Sequence, residues 1–168
     1  VLISHKNRYT LCVSSQIGCL LGCDFCATAT MNYERNLDTS EILLQFYYVQ
    51  KYLKNINKKI NNVVFMGMGE PFLNYENVIE SLNILNFSKG QNFSKRNFTI
   101  STCGIISGIE KFTENENQVN LAISLHSVND KIRNKIMPIN KKWNIKMLTN
   151  TLIKYQKKTK NRITFEYI

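Results

Sequence analysis

Three cysteines in one short loop constrain this chain more than any other sequence feature. Cys19, Cys23 and Cys26 follow the spacing C-x3-C-x2-C, with Gly18 and Gly22 beside them. A tight loop can turn three thiolates inward, which suits a soft metal centre such as an iron–sulfur cluster. A structural zinc site usually closes with a fourth Cys or His, and no His lies near this loop. The spacing favours a cluster with one open iron, with a partial zinc site or a chance group of buried cysteines as alternatives.

Length, charge and cysteine usage limit the class of protein. The 168 residues suffice for one domain with a real core. A net charge of +10 fits either a polyanionic partner such as nucleic acid or a merely solvated basic surface. Five cysteines do not match a secreted disulfide framework, and neither a membrane span nor a signal peptide is visible, so we expect a cytoplasmic protein. The chain begins without Met and stops inside an alternating run, which predicts a fragment cut at both ends.

Strand and helix patterns alternate along the sequence. Short apolar or alternating runs predict strands near residues 9–15, 63–66, 98–102, 119–125 and 163–167. Apolar residues at helical spacing follow each of the first four predicted strands and predict four helices. Asp38 and Glu41 form a capping box at the start of the first helix, and Asn74 can cap the second. The continuous apolar run at 63–66 predicts a strand covered on both faces. The alternation predicts a parallel α/β domain, either doubly wound or barrel-like.

The unusual motifs all follow predicted strands, and the carboxyl ends of parallel strands share one edge of a sheet. The turn at residues 67–71 combines two glycines with one carboxylate, so that Glu70 or a backbone carbonyl could hold a ligand amino group. The alternative interpretation of residues 67–71 is a structural glycine-rich turn closed by Pro71. Ser101, Ser124 and His126 end later strands, where each could contact a nucleoside or serve only as a structural residue. Cys103 is interpreted as a small buried residue.

A more specific resemblance rests on motifs that recur in order along the whole chain. They are the Cys loop with Phe25 before its last cysteine, and residues 10–16, 35–37, 64–71, 100–102, 121–126 and 129–140. Together they resemble the radical S-adenosylmethionine (SAM) methyltransferases that modify C2 of adenine in 23S ribosomal RNA and also act on transfer RNA. The resemblance implies a partial (βα)6-type barrel of parallel strands, truncated after the fifth strand, with residues 1–168 as one incomplete core domain.

The resemblance also implies the cofactors and their ligands. Cys19, Cys23 and Cys26 would bind a [4Fe–4S] cluster whose free iron chelates SAM. The implied SAM-binding residues are Gly69, Glu70, Ser101, Ser124, Leu125 and His126.

Cys12 matches the second cysteine of the family. There, one SAM methylates a cysteine near the C-terminus, and a second yields a 5′-deoxyadenosyl radical that activates this methyl group for addition to adenine. Radical chemistry is needed because an aromatic amidine carbon is not nucleophilic. The second cysteine then releases the enzyme–RNA cross-link by disulfide formation. A resolving thiol must stay free of the cluster and face the same cavity.

The resemblance implies 23S rRNA and tRNA as partners, an electron donor such as flavodoxin or ferredoxin, and a monomer without membrane contact. The methyl-carrying Cys, the catalytic Glu, the last SAM-binding Asn and an RNA-binding domain are expected outside this chain, so we expect the fragment alone not to complete methylation. The alternatives are a C8-specific rRNA methyltransferase, a radical SAM enzyme acting on a peptide or small molecule, and a non-catalytic cluster- or RNA-binding module.

Overall fold

Six strands form one sheet and two short strands form a second in the computed structural model, which describes residues 1–116 and 118–168. The strands are β1 Leu2–His5, β2 Arg8–Cys12, β3 Gln16–Ile17, β4 Arg35–Asn36, β5 Asn62–Phe65, β6 Phe98–Thr102, β7 Asn120–Ser124 and β8 Ile163–Glu166. The helices are α1 Thr39–Lys54, α2 Tyr75–Asn86, α3 Ile106–Asn115, α4 Asp130–Ile136 and α5 Ile145–Thr159. Within the described residues, no helix is both long enough and apolar enough to cross a membrane.

The strand order of the large sheet distinguishes the two predicted architectures. The order is β1-β2-β5-β6-β7-β8, in which the last five strands are parallel and β1 pairs antiparallel to β2. Parallel strands that follow one another in chain order, joined by right-handed crossovers, keep their helices on one face of the sheet. A doubly wound sheet would reverse the order and place helices on both faces. The prediction of a partial barrel is therefore confirmed.

The register of the strands assigns residues to the two faces of the sheet. Val63 on β5 pairs with Leu11 on β2 and with Phe98 on β6, and all three side chains are buried in the core. Side chains alternate between the faces along each strand, so Cys12 and its partner Val64 point to the opposite, concave face. That face is only partly covered. The prediction that residues 63–66 are covered on both faces is wrong, since Met66 is 42% exposed.

The helices begin largely as the sequence predicts. Asp38 accepts a hydrogen bond from the backbone N–H of Glu41, and the Glu41 carboxylate accepts one from the backbone N–H of Asp38, which completes the predicted capping box at α1. Arg35 also donates to both oxygens of Glu41, and these bonds hold the pKa of Glu41 at about 2. Asn74 precedes α2, but its side chain makes no capping bond. Its amide instead donates to two backbone carbonyls, those of Ser15 and Leu37.

Four elements were not predicted from the sequence pattern: the edge strand β1, the two-residue strands β3 and β4, and helix α4. β1 is an edge strand whose four residues are mostly exposed, so its apolar alternation is weak. Helix α4 has seven residues and carries one buried side chain, that of Arg133. A short helix that buries a charged residue gives no amphipathic signal. All four elements lie outside the pattern of five strands and four helices that the apolar spacing supports.

Candidate active site

A cavity of about 410 Å³ lies at the carboxyl edge of the parallel strands. The Cys loop, the turn after β5, and the ends of β6, β7 and β8 contribute its walls. Eight of the residues predicted from the sequence line it: Cys19, Cys23, Cys26, Gly69, Glu70, Ser101, Ser124 and His126. The sequence motifs that follow different strands therefore meet at one place, as the parallel topology requires.

Two predicted residues do not line this cavity. The side chain of Leu125 lies in a separate apolar groove beside α5, and its backbone N–H and C=O are bonded to Glu166 and Arg133. Cys12 lies outside the cavity walls as well, although its position in β2 places it on the same face of the sheet as the cavity. It is half-buried. Reaching a ligand from there would require the ligand to extend along the concave face.

The three cysteines of the loop share the cavity as free thiols. Cys23 is buried, whereas Cys19 and Cys26 are half-buried. Burial raises the pKa of Cys19. Across the described residues, no group of three or more His, Cys, Asp or Glu side chains stands in an arrangement that would already hold a metal ion. The donor set is nevertheless that of a soft metal centre, because three thiols open into one space.

A glycine conformation shapes the loop that carries these thiols. Gly18 has a φ of +74°, and a Cβ atom there would come within 2.1 Å of the backbone oxygen of Asn32. Just before Cys19, the loop therefore packs directly against the backbone of Asn32 and Tyr33. A larger residue at position 18 would force the two segments apart.

Cys103, which was interpreted from the sequence as a small buried residue, places a fourth thiol in the cavity. Its Sγ lies 3.8 Å from the Sγ of Cys23. This contact lowers the pKa of Cys23 and raises that of Cys103 well above its ordinary value. Cys103 was missed because it lies 80 residues from Cys23 and outside the spaced motif.

The glycines of the turn after β5 are needed for packing within the chain. A Cβ atom on Gly67 would lie 2.7 Å from the backbone oxygen of Val13, and one on Gly69 would lie 2.5 Å from the Cβ of Gln16. Gly69 also has a φ of +97°. The turn therefore lies directly on the segment that follows β2. In the described residues, nothing donates to the carbonyls of Gly67 and Gly69, and both glycines line the cavity.

The carboxylate of Glu70 points into the protein. The residue is 2% exposed, and its two oxygens accept hydrogen bonds from the backbone N–H groups of Phe72 and Cys103, at 3.1 and 2.7 Å. Burial raises the pKa of this carboxyl group, while the hydrogen bonds oppose the shift. Glu70 thereby ties the turn after β5 to the end of β6.

Arg133 binds the backbone at the ends of β6 and β7 through hydrogen bonds. The residue is 1% exposed, and its guanidinium donates to the backbone oxygens of Cys103, Ser124 and Leu125, at 2.8, 3.1 and 3.0 Å. A fourth bond, of 2.7 Å, goes to the side-chain oxygen of Asn140. Five N–H donors in a planar fork suit such a cluster of carbonyls. The cavity wall formed by the ends of β6 and β7 is therefore fixed by one buried cation.

His126 closes the cavity beside the Cys loop. It has a φ of +54°, an uncommon conformation for a non-glycine residue. Its ring contacts that of Phe25 edge-on, with 4.3 Å between centroids. Its Nδ1 is buried and has no hydrogen-bond partner within the described part of the chain, and burial lowers the pKa of the imidazole. A buried polar atom without a partner at the wall of a cavity is a candidate contact for a bound ligand.

Glu166, at the end of β8, is a further cavity residue that the sequence analysis did not identify. Its Oε2 accepts hydrogen bonds from the hydroxyls of Ser101 and Ser124, at 2.7 and 2.9 Å. A single acidic residue at the end of an otherwise ordinary strand carries no motif. The only sequence signal is its position after a parallel strand.

Comparisons with known proteins agree with this geometry. The family model of the radical SAM superfamily matches residues 13–166. A probable dual-specificity RNA methyltransferase RlmN of Dictyoglomus thermophilum is 49% identical over 168 residues, and the dual-specificity RNA methyltransferase RlmN of Buchnera aphidicola is 51% identical over 173 residues. Both alignments include the whole of this chain, which spans about half the length of each relative, 48% and 47%.

A solved structure gives the same result. The crystal structure of a radical SAM methyltransferase from Sphaerobacter thermophilus superposes with a TM-score of 0.96 at 39% identity, over 99% of this chain and 49% of that one. The family match covers nearly the whole sequence, and its cofactors are a [4Fe–4S] cluster and SAM. The thiols and ligand-facing groups of the cavity fit that chemistry, and the chain belongs to the radical SAM superfamily.

Proposed function

We propose that this chain is the catalytic core of a radical SAM RNA methyltransferase that methylates C2 of an adenine in 23S rRNA and tRNA through a methyl-cysteine. The observation that carries the proposal is the meeting of three loop cysteines with the turn after β5 and with Ser101, Ser124 and His126 around one cavity. The relatives that match the whole chain are named as dual-specificity RNA methyltransferases. The net charge of +10 supports a polyanionic substrate.

The loop cysteines would hold the cluster, which supplies the electron for reductive cleavage of SAM. Cys19, Cys23 and Cys26 offer three thiols to one space, and a four-iron cluster held by them would have one iron free for SAM. A protein reductant such as flavodoxin or ferredoxin would bind the enzyme and reduce the cluster. We also propose that the enzyme is a cytoplasmic monomer. These assignments follow from the resemblance of the motifs.

The turn after β5 would bind the SAM ammonium group through its backbone. Glu70 has both carboxylate oxygens engaged, and its own backbone oxygen accepts from Leu73 N–H. The Met68 oxygen accepts from two backbone N–H groups. The carbonyls of Gly67 and Gly69 are without a donor in the described chain and line the cavity, so they are the acceptors for a cation at this wall.

The proposed function is tested by placing this chain in a protein of full length. We would replace the matching half of the Dictyoglomus thermophilum relative with residues 1–168 and assay methylation of 23S rRNA and tRNA with SAM and a reductant. We expect 2-methyladenosine in digested RNA, identified by chromatography and mass spectrometry. Product at C8 would contradict the assigned position, and a chimera that cleaves SAM but methylates only peptide would contradict the RNA assignment.

The cluster assignment predicts iron content. Anaerobic reconstitution should give about four irons per chain, the stoichiometry of a cubane cluster. Replacing Cys19, Cys23 and Cys26 together by Ala should abolish this iron, because no thiolate would remain in the loop. Iron and sulfide assays and electron paramagnetic resonance of the reduced protein measure the result.

The matched control is Cys103→Ala, which removes the neighbouring thiol but leaves the loop intact. It should retain about four irons per chain. Loss of iron in this variant would make Cys103 a ligand and contradict the three-cysteine assignment. Stoichiometric tetrahedral zinc in place of iron would contradict the cluster itself.

The burial of Glu70 predicts a structural role for its side chain. Glu70→Ala should lower the free energy of unfolding by on the order of 2 kcal/mol, since two buried N–H groups lose their acceptor while the cost of burying a carboxylate is relieved. Denaturant unfolding of the cluster-free chain measures this loss without any ligand. The exposed Glu76→Ala is the control and should change stability by less than about 0.5 kcal/mol. Unchanged stability with tenfold weaker SAM binding would instead indicate direct contact between the carboxylate and SAM.

The position of Cys12 predicts a separate defect in the chimera. Cys12→Ala should retain the cluster and SAM cleavage, but protein–RNA adduct should accumulate, because no thiolate can attack the sulfur of the cross-link. Denaturing gels with labelled RNA measure the adduct. Thr10→Ala is the control, since Thr10 lies two residues earlier on the same face of β2. Full turnover by the Cys12 variant would leave this residue with a packing role only.

A further inference from the structure

Cys103 carries a cavity thiol that the proposed cluster does not use as a ligand. Its Sγ lies 3.8 Å from the Sγ of Cys23, and either sulfur could donate the hydrogen of this contact. A cysteine binds iron as a thiolate, so Cys23 has no proton to donate once it is a cluster ligand. The hydrogen of the contact must then belong to Cys103, which makes this thiol a donor to a ligand of the cluster.

The backbone of Cys103 is fixed from both sides, which gives its thiol a defined position. Its N–H donates to a carboxylate oxygen of Glu70 at 2.7 Å, and its C=O accepts from the guanidinium of Arg133 at 2.8 Å. Both partners are themselves buried. The next residue, Gly104, has a φ of +100°, a conformation that other residues rarely adopt. The end of β6 therefore presents Cys103 to the Cys loop in one backbone conformation.

The carboxylate of Glu70 is a competing acceptor for the Cys103 thiol, since the two side chains also interact. Both oxygens of Glu70, however, already accept backbone N–H groups, those of Phe72 and Cys103. The side chain of Cys23 has no hydrogen-bond partner other than Cys103 among the described residues. The sulfur of Cys23 is therefore the less occupied acceptor.

We propose that Cys103 donates a hydrogen bond to the sulfur of Cys23 in the cluster-loaded protein and thereby raises the reduction potential of the cluster. Reduction adds negative charge to the cluster and its ligand sulfurs, so a donor to one of these sulfurs stabilises the reduced state more than the oxidised state. The electron comes from the protein reductant, and the proton stays on Cys103 in both states. Cys103 acts through Cys23 and is thus a positioning residue. This inference rests on the proposed function, because it takes Cys23 as a cluster ligand.

The test measures the reduction potential of the cluster in the full-length chimera. Cys103→Val removes the donor and keeps the space filled, whereas Cys103→Ser retains a donor. Anaerobic redox titration is followed by electron paramagnetic resonance. We expect Cys103→Val to lower the equilibrium constant for one-electron reduction roughly fivefold, or by about 40 mV. Cys103→Ser should stay close to the unchanged chimera. Ser107→Ala, at an exposed position of α3, is the control and should leave the potential unchanged.

A second measurement detects the hydrogen itself. The hydrogen of a thiol exchanges with solvent, so electron–nuclear double resonance of the reduced cluster in deuterated water should show the deuteron on Cys103. This coupling should be present in the unchanged chimera and absent in Cys103→Val. Its presence in both proteins would show that the coupled deuteron belongs to another group and would overturn the inference.

The remaining outcomes also contradict the inference, each in a different way. Equal potentials in Cys103→Val and the unchanged chimera would show that Cys103 does not act on the cluster. An equal fall in Cys103→Val and Cys103→Ser would assign the effect to packing of the thiol. Loss of iron from Cys103→Val would make Cys103 a ligand. If the unchanged chimera takes up no cluster, the cluster assignment of the proposed function fails and this inference fails with it, whereas the first three outcomes leave a bound cluster or its iron content as evidence for that function.

Discussion

Two buried charges of opposite sign hold the backbone of Cys103, and the cavity depends on this arrangement. The N–H of Cys103 donates to Glu70, and its C=O accepts from Arg133. The first contact joins the ends of β5 and β6, and further bonds from Arg133 extend to the end of β7. Parallel strands by themselves bring their carboxyl ends only to a common edge. The two charges fix those ends against one another, which places the thiol of Cys103 beside Cys23.

The cavity has walls with different chemistry as a result. The Cys loop supplies soft thiols on one side, and Ser101, Ser124 and Glu166 supply oxygen atoms on another. Between them, His126 connects the two walls through its ring contact with Phe25.

Local sequence patterns determined much of this protein. The capping box of Asp38 and Glu41, the apolar spacing of the helices and the alternation of the strands depend on residues within a few positions of each other. The C-x3-C-x2-C loop is local as well, and it located the site. The strands near β2, β5, β6, β7 and β8 were therefore predictable, as was their parallel class. The edge strand β1 and the helix α4 were not, because neither has a clear apolar period.

The tertiary structure alone decided which side chains act together. Ser101 and Glu166 are 65 residues apart, Cys23 and Cys103 are 80 apart, and no spacing in the sequence relates either pair. The sequence named Glu70 but could not determine the direction of its side chain, because that depends on two N–H groups contributed by different segments. Burial and donor–acceptor partnership are properties of contacts between distant residues. The sequence therefore determined the type of chemistry and the edge of the sheet at which it occurs, whereas the fold determined which groups face the ligand.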